Sequence, residues 1–314
     1  MKSLALVPTP NRWWIYQRER FPIFAHGLLI AAFSSSAVSF SWLLRGSEAL
    51  PSRASWFVAV ATAFLLFLQL RIADEFKDFE EDSRYRPYRA VPRGLVRLRE
   101  LGVVGAASAV VQLALALWLT PRLVPLLAVT WGYLALMTQE FFVRDWIRAR
   151  PITYLWTHML ILPLTDFYAT ACDWQGAGAA RPAGLFWFIA VSFFNGLALE
   201  IGRKIRAPDD EEKGVRTYSH LWGRGQAIGV WLAALVLTAT CAVAAAVRIG
   251  FVFPVMGVLG AFLVAAIPLA ARFVAHPSTR GARLLEHFSG VWTLAVYLSL
   301  GIGPLLWKLK KQWP

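Results

Sequence analysis

The chain has 314 residues, of which 57% are hydrophobic and only 16% are charged. Soluble proteins carry roughly 25% charged residues, so this composition excludes an ordinary soluble domain and indicates a polytopic membrane protein. The formal net charge of +13 does not indicate nucleic acid as a partner, because the basic residues lie in polar connections beside apolar segments. In such places they orient membrane helices and attract anionic phosphate groups.

Nine apolar segments follow one another along the chain, and most reach the roughly 20 residues that cross a bilayer as a helix. We predict membrane-spanning helices at 22–44, 54–73, 101–120, 123–142, 152–171, 184–201, 226–247, 250–271 and 288–307. No useful stretch shows the alternation of a strand, and no linker divides the chain. We therefore expect an all-α polytopic membrane protein with nine transmembrane helices, formed by residues 1–314 as a single domain.

The distribution of Lys and Arg predicts the orientation in the bilayer. Lys2, Arg12, Arg18 and Arg20 precede the first span, and the connections after the second, fourth, sixth and eighth spans are also rich in basic residues. Because such connections stay on the cytoplasmic side, we expect them and the N-terminus in the cytoplasm, with the bacterial inner (cytoplasmic) membrane as the location. The lysines near the C-terminus oppose this assignment, but late charges usually weigh less than early ones.

The second span is followed by the densest cluster of acids in the chain, with six of the 19 acidic residues between Asp74 and Asp82. If the second helix continues through this segment, Asp74, Asp78 and Asp82 advance by only about 40° per step, at 100° per residue. Glu75 and Arg71 fall near the same arc. One helical face is therefore predicted to gather four carboxylates.

Four unpaired carboxylates on one face repel one another and raise their own pKa values. A divalent cation relieves this repulsion, and oxygen ligands with free coordination positions suit Mg²⁺ shared with a phosphate ligand. The alternative is a solvated helix end whose acids pair with nearby arginines. Those arginines would be Arg84, Arg86 and Arg89.

The segment after these acids favours the metal interpretation. The chain reads DEFKDFEED at 74–82 and RPYRAVPRG at 86–94, which resembles the UbiA family of intramembrane prenyltransferases in spacing and order. The first motif of that family is N-D-x-x-D-x-x-x-D, followed by a segment of the type R-P-x-R-P-x-P-x-G. Here Asp74 stands for the Asn, Glu75 for the first Asp and Ala90 for a Pro, and the first two changes keep an oxygen ligand.

A second family motif, D-x-x-x-D followed by G-x-x-T, is expected after the sixth span. The chain reads RAPDDEEKGVRT at 206–217, and anchoring on Gly214 and Thr217 aligns Asp210 with the second Asp and Arg206 with the first. One carboxylate is therefore missing. Either another acid supplies the oxygen, or Arg206 contacts the diphosphate in place of a second Mg²⁺, or the segment is an ordinary polar loop. The candidate replacement acids are Asp209 and Glu200.

The resemblance implies a helical bundle around a central chamber, and transfer of an isoprenyl group from a prenyl diphosphate to a hydrophobic acceptor, with an aromatic acceptor as one option. It also implies Mg²⁺ as the cofactor and the lipid bilayer as the surroundings. The expected metal ligands are Asp74, Glu75, Asp78, Asp82, Asp209 and Asp210. The expected catalytic residues are Asp78, Asp82, Asp210 and Asn195. The expected diphosphate-binding residues are Arg20, Arg71, Lys77, Arg148, Arg150, Lys204 and Arg206.

Two other functions are compatible with the same motifs. One is a UbiA-type intramembrane terpene cyclase, which would ionise a prenyl diphosphate and cyclise it without an acceptor. The other is a non-catalytic protein that binds or transports polyprenyl phosphates, for which the missing carboxylate at Arg206 is the best support. The sequence does not specify the prenyl chain length, the acceptor, the pathway or the oligomeric state.

Overall fold

The computed structural model describes residues 11–312, and all regular secondary structure in that range is helical. Lys2, which contributes to the predicted orientation, lies outside the described residues. The helices are α1 Arg12–Arg20, α2 Ile23–Arg45, α3 Arg53–Lys77, α4 Phe79–Tyr85, α5 Leu98–Leu119, α6 Val124–Thr138, α7 Arg144–Arg148, α8 Pro151–Met159, α9 Ile161–Trp174, α10 Leu185–Arg203, α11 Tyr218–Trp222, α12 Arg224–Arg248, α13 Val252–Ala275, α14 Thr279–Leu300 and α15 Ile302–Gln312.

Within residues 11–312, seven helical segments are long and apolar enough to cross a membrane. They are α2, α3, α5, α10, α12, α13 and the joined α14–α15 segment, Thr279–Lys311. The all-α membrane class is thus confirmed. The other two predicted spans, 123–142 and 152–171, form shorter helices in the described chain, α6 with 15 residues and the α8–α9 pair.

Two boundaries differ from the prediction for clear physical reasons. The predicted span 152–171 is interrupted at Leu160, because Pro163 lacks the N–H that would bond to the carbonyl of Met159. The last long helix begins at Thr279, nine residues before the predicted span, and the Ser278 hydroxyl caps it by accepting from the Gly281 N–H. Its first turns are polar, so the apolar pattern could not show them.

The bundle packs through small side chains in its centre. α10 packs along α12, and α2 packs along α9, with Ala37, Ala198 and Ala242 fully buried. Small residues let helix backbones approach closely, which favours association inside a bilayer, where lipid tails remove the usual hydrophobic drive. By contrast, α5 and α13 expose large apolar side chains such as Val110 and Phe253, as expected for helices that face lipid.

The connections on the predicted cytoplasmic side are tied to one another. The Tyr88 hydroxyl, after α4, donates to Glu212 in the connection between α10 and α11 at 3.1 Å. In the same connection Gly214 adopts a left-handed conformation, φ 79°, and an added Cβ would lie 2.7 Å from the Tyr85 ring. Glycine is therefore required there both for its backbone and for its lack of a side chain. These contacts bring the two acidic segments together.

Candidate active site

Helix α3 extends beyond residue 73 into the first acidic motif but ends at Lys77, so the single helix expected through residues 74–82 is broken at Asp78. Asp78 ends that helix, and α4 begins at the next residue. The four carboxylates do not share one environment, contrary to the expectation of a single gathering face. Glu75 and Asp82 are each only 2% exposed, whereas Asp74 and Asp78 are partly exposed.

The buried pair is neutralised by arginines of the chain. Glu75 accepts a hydrogen bond from Arg20 Nε at 2.5 Å, which fastens α1 to α3. Asp82 lies 2.7 Å from Arg86 and 2.6 Å from Arg89. Buried carboxylates need such partners, because an uncompensated buried charge is strongly destabilising. The alternative prediction, in which acids of this motif pair with nearby arginines, thus applies to Asp82.

The partly exposed pair keeps carboxylate oxygens available. Asp74, whose side chain is 39% exposed, has only longer contacts, 3.4 Å to Arg71 and 3.9 Å to Lys77. Asp78 forms no ion pair within residues 11–312. Burial, together with the neighbouring carboxylates of Asp74 and Asp82, raises the pKa of Asp78. A divalent cation bound between Asp74 and Asp78 would relieve the repulsion between these two carboxylates.

The end of α10 presents a second charged group. Glu200 contacts Arg203 Nη2 at 2.5 Å and Lys204 Nζ at 2.6 Å. Residues spaced by three and four lie on one helical face, so a single carboxylate organises both cations. The Arg203 side chain remains 47% exposed and that of Lys204 35%. Helix α10 packs against α8, which also bonds to Lys77 at the end of α3.

Helix α8 completes the surroundings of α3 and α10. Lys77 Nζ donates to the Tyr154 hydroxyl at 2.9 Å, and the Tyr154 ring stacks on His158 with centroids 3.8 Å apart. His158 Nδ1 lies 2.8 Å from the Tyr154 carbonyl, which fixes the ring. Tyr154 therefore holds the Lys77 ammonium at a defined place beside Asp74.

Arg148, which the sequence suggested as a diphosphate ligand, forms ion pairs with carboxylates of the chain. Its Nε donates to both oxygens of Glu140, at 2.9 and 2.8 Å, and its Nη1 pairs with Glu81 of α4. Its carbonyl accepts from Arg216 Nη1 at 3.0 Å. Because its guanidinium is paired with both carboxylates, Arg148 links the connections that contain Glu140, Glu81 and Arg216.

A strained turn positions the partner of Arg148. Glu140, Phe141 and Phe142 have φ values of 49°, 56° and 59°, a left-handed turn without glycine. Each such residue costs of order 1–3 kcal/mol, so the ion pair of the buried Glu140 helps to hold the turn. Arg150, another expected diphosphate ligand, lies over the Trp146 ring at 4.3 Å and donates to the Trp146 carbonyl.

The second motif has most of its polar groups engaged within the protein. Arg206 Nη1 contacts Glu286 at 3.4 Å, and its backbone N–H donates to the Ser219 hydroxyl at 2.8 Å. Asp210 accepts from the Thr279 hydroxyl at 2.9 Å. Asp209 lies on the exposed surface. Arg206 and Asp210 are thus each engaged with α14.

Asn195 lies deeper in the bundle. It is eight residues before Arg203 on α10, a rise of about 12 Å, and it is 2% exposed. Its side-chain oxygen is 3.4 Å from the Thr293 hydroxyl. In this structure Asn195 joins α10 to α14 rather than lining the group of charges at the helix ends.

Metal binding at this site depends on the carboxylates that are not already paired within the protein. Among the described residues, no three His, Cys, Asp or Glu side chains are arranged to hold a metal ion by themselves. Mg²⁺ often uses one or two carboxylates and completes its shell with water and phosphate oxygens. Asp74 and Asp78 suit one such ion. In the second motif, Asp209 is exposed and one oxygen of Asp210 accepts from the Thr279 hydroxyl.

Sequence reasoning missed Arg203 as a site residue. The signal was present as an acid followed by bases three and four residues later, at Glu200, Arg203 and Lys204, but it resembled an ordinary cytoplasmic helix end. The partner of Glu75 was also hidden, because Arg20 is 55 residues away in the chain.

Comparisons with known proteins give a consistent result. A family model for the UbiA prenyltransferase family matches residues 28–291. A solved apo structure of a UbiA homolog from Aeropyrum pernix K1 has 16% identity, covers 89% of this chain and 97% of its own, and has a TM-score of 0.66. A structure described for digeranylgeranylglyceryl phosphate synthase in membranes has 14% identity, coverage of 94% and 99%, and a TM-score of 0.59.

A third structure carries ligands. A UbiA homolog from Archaeoglobus fulgidus bound to DMAPP and Mg²⁺ has 11% identity, covers 91% of this chain and 98% of its own, and has a TM-score of 0.54. At these identities the solved structures establish the shared fold. No curated protein matches this chain.

Proposed function

The chain belongs to the UbiA prenyltransferase family, and we propose on this premise that it transfers an isoprenyl group from a prenyl diphosphate to a hydrophobic acceptor. The observation that carries the proposal is the group of charges at the helix ends. Asp74 and Asp78 are partly exposed carboxylates at the end of α3, and Arg203 and Lys204 are cations at the end of α10. Helix α8 joins the two groups, because it bonds to Lys77 and packs against α10. Carboxylates for a metal beside cations for an anion are what a metal–diphosphate substrate requires.

Mg²⁺ is the proposed cofactor, held by Asp74 and Asp78. When bound it would supply Lewis acidity to the diphosphate leaving group. Glu75 and Asp82, which the sequence suggested as further ligands, are proposed instead to position Arg20, Arg86 and Arg89 through the buried ion pairs.

The remaining charged groups act on the leaving diphosphate. As the bond to the prenyl carbon breaks, negative charge grows on the diphosphate oxygens, and cations already fixed in place stabilise it without reorganisation. Lys77 is fixed by Tyr154, and Arg203 and Lys204 are fixed by Glu200. The apolar helices below this group keep water away from the allylic cation.

The site is proposed to face the cytoplasm, at the inner membrane of a bacterium. The basic connections support this orientation through the positive-inside rule, and all the charged groups described above lie at the same ends of their helices. Single cysteines introduced at exposed positions, such as Arg283→Cys and Arg53→Cys, test it in intact cells. The first should resist a membrane-impermeant thiol reagent and the second should react; the reverse pattern would contradict the orientation.

Pyrophosphate release tests the proposed reaction. Purified protein in lipid nanodiscs is incubated with Mg²⁺ and prenyl diphosphates of increasing length, with and without an aromatic acceptor. We expect release that Asp78→Ala slows by at least about 100-fold, or about 2.7 kcal/mol. Glu80→Ala is the matched control, because this exposed acid of the same motif forms no ion pair in the described chain.

The products of the same incubation separate the related reactions. A prenylated acceptor supports transfer, whereas a cyclised hydrocarbon or alcohol formed without an acceptor would identify a cyclase. Absence of pyrophosphate release with every chain length and acceptor would contradict the proposal and favour a binding protein.

A further inference from the structure

The end of α10 carries cations just before the segment that aligns with the second family motif. Glu200, Arg203 and Lys204 form one group in which a single carboxylate contacts two bases, at 2.5 and 2.6 Å. The group therefore keeps a net positive charge. Because Glu200 is buried and the two basic side chains remain 47% and 35% exposed, the carboxylate anchors them while their outer donors stay available.

The facing wall adds two more cations around one acid. Arg71 and Lys77 contact Asp74 only at 3.4 and 3.9 Å, and the Lys77 ammonium is held by the Tyr154 hydroxyl. Tyr154 belongs to α8, and α8 packs against α10, where Met159 lies beside Gly196. The two walls therefore border the same space beside α8.

The net charge of these side chains favours an anionic ligand. Four cations, Arg71, Lys77, Arg203 and Lys204, surround the carboxylates of Asp74, Asp78 and Glu200. The site is net positive with no metal at all, and one divalent cation makes it more so. A diphosphate, with up to three negative charges, is balanced by this set together with a single metal ion, and a second would be in excess.

We propose that this protein binds its diphosphate with one divalent cation, held by Asp74 and Asp78, and that Arg203 and Lys204 contact the diphosphate oxygens where a second metal would otherwise lie. Arg203 suits this role because a guanidinium donates two hydrogen bonds to one phosphate. The inference rests on the proposed function and specifies how that site recognises its substrate.

The neighbouring residues of the second motif are less suited to the role. Arg206 is drawn toward Glu286, and its backbone is bonded to Ser219. One oxygen of Asp210 accepts from the Thr279 hydroxyl. The position that aligns with the missing carboxylate is therefore tied to α14, whereas Arg203 and Lys204, three and two residues earlier, are anchored by Glu200 at the end of α10.

Metal stoichiometry tests the proposal without relying on turnover. The full-length protein in nanodiscs is titrated with Mn²⁺ in the presence of inorganic pyrophosphate, and bound Mn²⁺ is counted by electron paramagnetic resonance. We expect one Mn²⁺ per chain and no spin–spin coupling between metal ions. Two bound ions per chain with coupled spectra would overturn the proposal while leaving the prenyltransferase function intact.

Substitution of Arg203 tests the second half of the proposal. Arg203→Gln should weaken pyrophosphate binding in the presence of Mn²⁺ by about tenfold or more, as expected for losing a charge-assisted contact, while the Mn²⁺ count stays at one. Arg203→Lys should recover part of the affinity. Arg283→Gln is the matched control, since this exposed arginine lies on the same side of the bundle in the first turns of α14 and has no ion pair in the described range.

The outcomes separate the two proposals. Unchanged pyrophosphate affinity in Arg203→Gln would refute the role of Arg203, whatever the activity. A wild-type protein that binds pyrophosphate with one Mn²⁺ yet releases none from any prenyl diphosphate would refute the proposed reaction and keep the binding mode. Size-exclusion profiles and thermal unfolding of each variant show whether a loss of binding reflects a loss of fold.

Discussion

The two segments that carry acidic motifs use their acids in different ways. In residues 74–82, the carboxylates of Glu75 and Asp82 are buried and paired with arginines, whereas those of Asp74 and Asp78 are partly exposed. In residues 200–217, the conspicuous acids other than Asp209 are engaged by bases or hydroxyls of the protein. The number of acids in a motif therefore does not indicate how many can bind a metal. What decides it is which of them the fold has already paired.

The largest expected effect is a loss of stability when a buried carboxylate of the first motif is removed. Asp82→Ala removes the partner of both Arg86 and Arg89 and leaves buried charge uncompensated, which typically costs about 3–5 kcal/mol. Asp74→Ala, at a partly exposed residue with long contacts, should cost less than about 1 kcal/mol. Thermal unfolding in nanodiscs compares the two. Equal losses would remove the distinction between buried and available acids.

Activity should show the opposite ranking between the two segments. Asp78→Asn removes a proposed metal ligand and should lower the rate of pyrophosphate release by about 100-fold, or about 2.7 kcal/mol. Asp210→Asn should lower it by less than about fivefold, because Asp210 bonds to Thr279 rather than to the ligand. Initial rates at saturating Mg²⁺ measure both. A loss for Asp210→Asn as large as that for Asp78→Asn would place the second motif back at the metal.

Removal of the metal should weaken anion binding without abolishing it. With divalent cations chelated by EDTA, pyrophosphate affinity is expected to fall by about 10- to 30-fold, near 1.4–2 kcal/mol. The binding that remains comes from the cations of α3 and α10, which are organised by Glu200 and Tyr154. Isothermal titration calorimetry with pyrophosphate measures this. Complete loss of binding in EDTA would mean that metals, and not these side chains, hold the anion.

The sequence predicted the helical membrane class and the extension of α3 beyond residue 73, though not its end at Lys77. Apolar length and helical spacing are local properties, which is why these features could be predicted. It could not predict which acids would be paired. Arg20 reaches Glu75 from α1, and Glu286 reaches Arg206 from α14, and such partners are chosen by packing between distant segments. The break before α9 was visible as Pro163, but its effect on the span depended on the neighbouring helices.

The smallest effect concerns the hydroxyl that engages Asp210. Thr279→Val keeps the shape of the side chain but removes the 2.9 Å hydrogen bond to Asp210. Because a hydrogen bond to a charged group contributes about 1.5 kcal/mol or less at a partly exposed site, we expect a loss of stability near 1 kcal/mol. If Asp210 serves only to join this segment to α14, the rate of pyrophosphate release and the Mn²⁺ count will not change. A gain of a second bound Mn²⁺ in Thr279→Val would mean that the hydroxyl had been withholding a metal ligand, and the contrast between the two acidic segments would then rest on one hydrogen bond.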